Sequence, residues 1–216
     1  MNSTHLKYSM ELLFFDVGFT LVDETAVWEK RCAEQALTAE AKRLRLTSGD
    51  IYREIENNSI ARLPQYRTVV RKYGFTEVAP YRHELETLYP EAPRVLETLA
   101  RKYTLGVIAN QTDGLQERLR DFGIAKYFTH IVSSWDAGIM KPDVRLYEYA
   151  LREANCSPQC ACMIGDRLDN DIAPAKATGM KTVWIKQGFG ALQTPLSSAD
   201  EPDYCVNSLA ELTELF

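Results

Sequence analysis

Short apolar runs alternate with helical patterns along most of this 216-residue chain, and this alternation constrains the fold more than any other feature. Such runs, ending at turn-forming residues, are typical of buried strands. Strands that alternate with helices of about ten residues form βαβ units, so we predict an α/β fold: a Rossmann-like parallel sheet with helices on both faces. The predicted strands are residues 11–15, 104–109, 161–164 and 182–185, with a weaker one at 130–132, and the predicted helices are 93–103, 113–122, 145–155 and 171–178.

One long segment after the first strand breaks this alternation. Between about residues 23 and 89 no strand is recognisable, and helix-like stretches are separated by Gly and Pro residues. A connection between a strand and the next helix usually needs only a few residues. We therefore predict an inserted α-helical subdomain at residues 22–89 and a core formed by residues 1–21 and 90–216.

Composition and charge argue against several classes of protein. The net charge of −5 is unsuited to binding nucleic acid or an anionic membrane surface through a basic field. The apolar runs are too short to cross a bilayer, and the first ten residues lack a signal-peptide pattern, so we expect a cytoplasmic protein. An odd number of cysteines, five, predicts reduced thiols. The sequence carries no firm indication of the oligomeric state.

Polar residues follow several of the predicted strands. Ligands of open parallel sheets bind outside the carboxyl ends of the strands, where these residues would meet. Several carboxylates and a lysine at one edge are costly to bury unless they neutralise one another or hold a cation. This convergence is the main indication of function. The residues are Asp16, Gly18 and Thr20 after the first strand, Asn110 and Gln111 after the second, Lys141 after the third, and Asp166, Asp169 and Asp171 after the fourth.

Four segments resemble, in order and spacing, the four motifs of the haloacid dehalogenase-like (HAD) hydrolase superfamily. A strand that ends in Asp is a weak signal alone, whereas Gly-Asp-x-x-x-Asn-Asp at residues 165–171 is more specific, and all four together are strong. The resemblance implies a HAD-like hydrolase core with a helical cap inserted after the first strand. The segments are FFDVGFTL at 14–21, GVIAN at 106–110, KPD at 141–143 and IGDRLDNDI at 164–172.

The side chains in these motifs suit phosphoryl transfer. A carboxylate such as Asp16 can attack phosphorus and form an aspartyl-phosphate, which divides one difficult displacement into two. Mg²⁺ takes one or two carboxylates together with waters and substrate phosphate, a role that fits Asp16 and Asp166. Lys141 offers positive charge to the phosphate oxygens, and Asp171 is predicted either to join the metal site or to orient Lys141. The resemblance implies that the backbone carbonyl of Gly18 is a further metal ligand.

Two positions depart from the family pattern. Phosphatases of this superfamily usually carry an Asp two residues after the nucleophile, which serves as general acid and base, but this chain has Gly18. A slow phosphatase is therefore expected. The second strand usually ends in Ser or Thr, which binds phosphate, but here it ends in Ala109. The predicted phosphate-binding residues are Asn110, Gln111, Thr20 and Lys141.

Three functions remain open at this point. The leading one is an Mg²⁺-dependent hydrolase of a small phosphorylated metabolite, with Asp16 as nucleophile. A 2-haloacid dehalogenase would also lack Asp at position 18, because halide leaves without a proton; however, this chain retains Gly165-Asp166 and lacks the Tyr that dehalogenases usually carry at that position. The third is a degenerate, non-catalytic protein that keeps the fold and binds a ligand.

Overall fold

A six-stranded parallel sheet forms the centre of the protein in the computed structural model, which describes residues 10–216. Its strand order is β5-β4-β1-β6-β7-β8, and β2 and β3 form a separate antiparallel pair. The predicted α/β parallel sheet is therefore confirmed, and each predicted strand matches an observed one to within a residue at either end. The strands are β1 Leu12–Phe15, β2 Val22–Asp23, β3 Thr87–Leu88, β4 Thr104–Ala109, β5 His130–Ser133, β6 Ala161–Gly165, β7 Lys181–Ile185 and β8 Tyr204–Val206.

Helices connect the strands and cover both faces of the sheet. Alternate residues of β1 point to opposite faces, so Leu13 and Phe15 lie in one buried cluster while Leu12 and Phe14 lie in the other. Nowhere in residues 10–216 is a helix both long and apolar enough to cross a bilayer. The α-helices are α1 Thr25–Ala36, α2 Ala39–Arg43, α3 Ser48–Ile60, α4 Gln65–Tyr73, α5 Ala92–Ala100, α6 Leu115–Asp121, α7 Ser134–Ala137, α8 Val144–Glu153, α9 Ala173–Thr178 and α10 Leu212–Leu215.

The inserted segment is helical and has a small core of its own. Helices α1, α3 and α4 pack together around Trp28, Ile51, Ile55 and Val69, and Phe189 from the other end of the chain joins this cluster. Local sequence sets the helix limits: the Thr47 side chain accepts a hydrogen bond from the backbone N–H of residue 50 at the start of α3. We refer to this helical segment, residues 22–89, as the cap.

The expectation that residues 23–89 contain no strand is wrong in one detail. Val22 pairs with Leu88, and Asp23 pairs with Thr87, in the short β2–β3 ribbon where the chain enters and leaves the cap. Two-residue strands have no periodicity that a sequence pattern can reveal, and this pairing joins residues about 65 positions apart. The same reason explains why the three-residue edge strand β8 escapes prediction. The domain limits 1–21, 22–89 and 90–216 stay predictions, with the ribbon at their boundary.

Candidate active site

A cleft of about 430 Å³ lies between the carboxyl edge of the sheet and the cap. The strands β4, β1 and β6 are neighbours in the sheet, so the residues that follow them come together although they are far apart in sequence. Of the residues predicted from the sequence, the cleft is lined by Asp16, Gly18, Asn110, Gln111, Lys141, Asp166 and Asp171.

Asp16, Lys141 and Asp171 form a buried ion-pair network at the bottom of this cleft. The Asp16 backbone N–H donates to the Ile164 carbonyl at 2.9 Å, which holds the residue against β6 just beyond the last residue of β1. Lys141 Nζ lies 2.5 Å from Asp16 Oδ1 and 2.6 Å from Asp171 Oδ1, and its side chain is only 2% exposed. Burial alone would lower the pKa of Lys141, but the two carboxylates raise it, so the ammonium stays charged.

Asp166 is the carboxylate in the site whose charge the protein compensates least, since the nearby Arg167 cation opposes the effect of burial without donating a hydrogen bond to it. It is buried, and within residues 10–216 no group donates a hydrogen bond to its side chain. Burial, followed by the charges of Asp171 and Asp16, raises its pKa well above the usual range. Carboxylate oxygens of these three residues lie within 4.8 Å of one another. Hard oxygen ligands at this spacing fit a divalent cation such as Mg²⁺, which would offset the charge that Lys141 leaves uncompensated.

Asp171 is bound on both oxygens by the protein itself. Oδ1 accepts from Lys141, and Oδ2 accepts from the backbone N–H of Arg167 at 2.9 Å. Its side chain packs against Gly165, where an added Cβ would lie 2.4 Å from the carboxyl carbon, so a glycine is required there. Burial raises the pKa of Asp171 to about 6 although Lys141 opposes the shift. These contacts favour a role for Asp171 in orienting Lys141 over a role as a direct metal ligand.

Asn110 contacts the loop that carries Lys141. Its Nδ2 donates to the Lys141 carbonyl at 3.0 Å, and its Oδ1 accepts from the Lys141 backbone N–H at 2.7 Å. This pair of hydrogen bonds joins the end of β4 to the lysine and fixes the point from which the side chain extends. Asn110 still lines the cleft, so a phosphate contact through its remaining N–H stays a prediction.

The other predicted phosphate ligands differ in their placement. Gln111 lines the cleft, and its side-chain oxygen accepts a hydrogen bond from Arg118. Thr20 is fully buried and does not line the cleft, and its hydroxyl has no hydrogen-bond partner within the described part of the chain. The turn after β1 directs this side chain inward, so the structure gives no support to its predicted role. Asp169 is also outside the cleft and pairs with Arg167 at 2.6 Å.

The cap supplies cleft residues outside the four sequence motifs. Glu24, immediately before α1, accepts a hydrogen bond from Trp28 Nε1 at 2.9 Å, and burial raises its pKa to about 7. Arg31 stacks on the Tyr66 ring at 3.6 Å and donates to a backbone carbonyl. No motif marks them, because their position depends on how the cap folds over the sheet. The cap residues that line the cleft include Glu24, Trp28, Arg31, Gln65, Tyr81 and His83.

A family model described as haloacid dehalogenase-like hydrolase matches residues 13–185, which include β1, the cap and the strands up to β7. The chain belongs to the haloacid dehalogenase-like hydrolase family. The match covers all four motifs, so the HAD resemblance inferred from them is confirmed.

Similar HAD proteins include phosphatases. A glyceraldehyde 3-phosphate phosphatase of Pyrococcus furiosus is 34% identical over 67% of this chain and 62% of that protein, so the chain spans less than two thirds of this relative. An enzyme of the same name from Methanothermobacter thermautotrophicus is 30% identical over 82% of this chain and 85% of that protein. The HAD-hydrolase YfnB from Bacillus subtilis, solved bound to magnesium, has a TM-score of 0.70 at 22% identity over 95% of this chain and 98% of its own, which establishes the fold.

Proposed function

We propose that the protein is an Mg²⁺-dependent phosphatase that acts on a small phosphorylated metabolite through an aspartyl-phosphate. The observation that carries this proposal is the convergence of Asp16, Lys141 and Asp166 at the bottom of one cleft. A nucleophilic carboxylate, a fixed positive charge and a second carboxylate able to hold a metal ion are groups that phosphoryl transfer uses. Relatives named as phosphatases support the same reaction class.

Each residue has a separate part in the proposed reaction. An Asp16 oxygen forms a bond to phosphorus while the bond between phosphorus and the leaving-group oxygen breaks, and water then releases phosphate from Asp16. Lys141, held by Asp171, stabilises the charge on the phosphoryl oxygens. Asp16 and Asp166, with the Gly18 carbonyl implied by the family resemblance, would hold Mg²⁺. The ion would neutralise phosphate charge when bound.

Phosphoryl transfer explains the site better than carbon–halogen hydrolysis does. Displacement of a halide by a carboxylate requires neither a metal nor a leaving-group acid. The burial of Asp166 without a hydrogen-bond donor within residues 10–216 would then carry a desolvation cost that the Arg167 charge offsets only in part. With a cation and a substrate phosphate in the cleft, the same carboxylate has a partner.

The test compares the wild type with Asp16→Asn. Both are assayed with Mg²⁺ and with EDTA against p-nitrophenyl phosphate, glyceraldehyde 3-phosphate, phosphoserine and 2-chloropropionate. We expect Mg²⁺-dependent phosphate release by the wild type and none by the variant, with unchanged thermal unfolding. The control is Asp143→Asn, which makes the same change at a motif carboxylate that caps α8 outside the cleft, where Asn also caps well. Phosphate release by Asp16→Asn at the wild-type rate would refute the assignment, and chloride release alone would favour a dehalogenase.

A further inference from the structure

The space beside Gly18 is occupied by a carboxylate from the cap. A Cβ built on Gly18 would lie 2.3 Å from Glu24 Oε1 and 2.9 Å from Glu24 Cδ. The backbone at Gly18 is outside the left-handed region, so its conformation would accept a side chain. A side chain at position 18 would therefore displace the carboxylate end of Glu24. A carboxylate lies at the place into which a side chain two residues after the nucleophile would extend.

Glu24 is held in this position by its own surroundings. Trp28, one helical turn after Glu24, donates its Nε1–H to Oε2 at 2.9 Å. Oε1 is the atom that a Cβ at position 18 would approach most closely. The residue is 9% exposed and lines the cleft that also contains Asp16. Its side chain gives no hydrogen bond to the start of α1, so helix capping does not explain it. Trp28 thus anchors Oε2, the Tyr81 hydroxyl also contacts the carboxylate, and Oε1 lies nearest to Gly18, two residues after Asp16.

We infer that Glu24 is the catalytic residue that exchanges protons with the leaving group and with the attacking water. This inference rests on the proposed phosphatase function. In the first step the bond from Asp16 to phosphorus forms, the bond to the leaving oxygen breaks, and that oxygen takes the proton of the Glu24 carboxyl group. In the second step water attacks the phosphorus, Glu24 takes the water proton, and the bond to Asp16 breaks. The sum is a phosphate ester and water converted into an alcohol and phosphate, with Glu24 restored.

This placement removes the reason for expecting a slow enzyme. That expectation depends on the lack of a carboxylate at position 18, and Glu24 supplies one from another element. Gly18→Asp alone should then lower activity, because the new side chain would clash with Glu24. In the Glu24→Ala background, the Asp side chain introduced by Gly18→Asp has space, and it restores a carboxylate beside the nucleophile.

The test is the leaving-group dependence of Glu24→Gln. An alkyl phosphate needs a proton on departure, so its turnover should fall by about 10²–10⁴-fold. p-Nitrophenolate leaves without a proton, so the first turnover of p-nitrophenyl phosphate should stay within tenfold of the wild type. The second step lacks its base, and the same variant should therefore show a burst of about one p-nitrophenolate per active site followed by slow release of phosphate. The double variant Gly18→Asp, Glu24→Ala should hydrolyse the alkyl phosphate at least tenfold faster than Glu24→Ala alone.

Controls separate this inference from the proposed function. Glu91→Gln makes the same change at another glutamate that immediately precedes a helix without capping it and lies outside the cleft, and it should leave all rates unchanged. Equal losses in the first turnover of both substrates by Glu24→Gln would show a structural role and overturn the inference, as would undiminished alkyl phosphate turnover. If the folded wild type hydrolyses no phosphate ester at all, the proposed function fails, and this inference fails with it.

Discussion

Replacing Lys141 with methionine removes the positive charge from the centre of the site while keeping most of the side-chain volume. In the protein, Nζ lies 2.5 Å from Asp16 and 2.6 Å from Asp171, and the lysine side chain is 2% exposed. Asp166 lies in the same acidic cluster. Lys141→Met therefore leaves three carboxylates close together with no counter-charge from this lysine.

The expected loss of stability is large because the ion pairs are buried. Removing one partner of a buried pair typically costs about 3–5 kcal/mol, since the remaining charge is left without compensation. For a chain of this size that corresponds to a fall in Tm of roughly 6–20 °C. The exposed pair of Lys181 and Asp203 provides the contrast: its lysine side chain is 49% exposed, and Lys181→Met should cost less than about 1 kcal/mol.

The sign of the pH dependence follows from Asp171. Burial raises its folded-state pKa to about 6 from an ordinary value of 3.8, and Lys141 works against that rise. Without the lysine the pKa rises further, so the folded variant binds protons that the unfolded chain releases above pH 4. Stability of Lys141→Met should therefore increase as the pH falls from 8 towards 5, and its deficit relative to the wild type should shrink.

The assay is urea and thermal unfolding followed by circular dichroism at pH 8 and pH 5, in EDTA so that no divalent cation replaces the lost charge. Wild type, Lys141→Met and Lys181→Met are compared at equal ionic strength. If Lys141→Met is as stable as Lys181→Met at pH 8, the buried ion-pair network does not contribute about 3–5 kcal/mol to the free energy of unfolding. A deficit that grows on acidification would contradict the assignment of uncompensated carboxylates as its cause.

Two further predictions concern the roles of neighbouring residues. Asp166→Asn should lower Mg²⁺ affinity in isothermal titration calorimetry more than Asp171→Asn does, because both Asp171 oxygens already accept hydrogen bonds from the protein; the reverse order would exchange their assignments. Asn110→Ala removes both hydrogen bonds to the Lys141 backbone and should reduce kcat by about 10²-fold through a small displacement of the lysine, with Mg²⁺ affinity unchanged. A normal kcat in that variant would show that the loop holds Lys141 without Asn110.

The sequence by itself determined the parallel sheet and the chain segments that form its edge. The strand before Asp16 is recognisable because residues 12–15 are all apolar, and a short continuous apolar run is a local signal; the structure buries all four. The order of the motifs then places Asp16 and Asp166 just beyond strand ends and Lys141 in the loop that follows β5, and the carboxyl ends of parallel strands meet at one edge of the sheet. The convergence of these residues therefore follows from local patterns and topology together.

Only the tertiary structure decided which side chains touch one another. Asn110 reads as a phosphate ligand in the sequence, but it lies across from the Lys141 backbone, 31 residues away, and holds it. From the sequence, Gly18 indicates the loss of a catalytic group, whereas the fold places the Glu24 carboxylate in the space beside position 18. The physical reason is the same in both cases. Hydrophobic periodicity is a property of neighbouring residues along the chain, while a side-chain contact depends on the packing of elements that the periodicity does not orient to within an ångström.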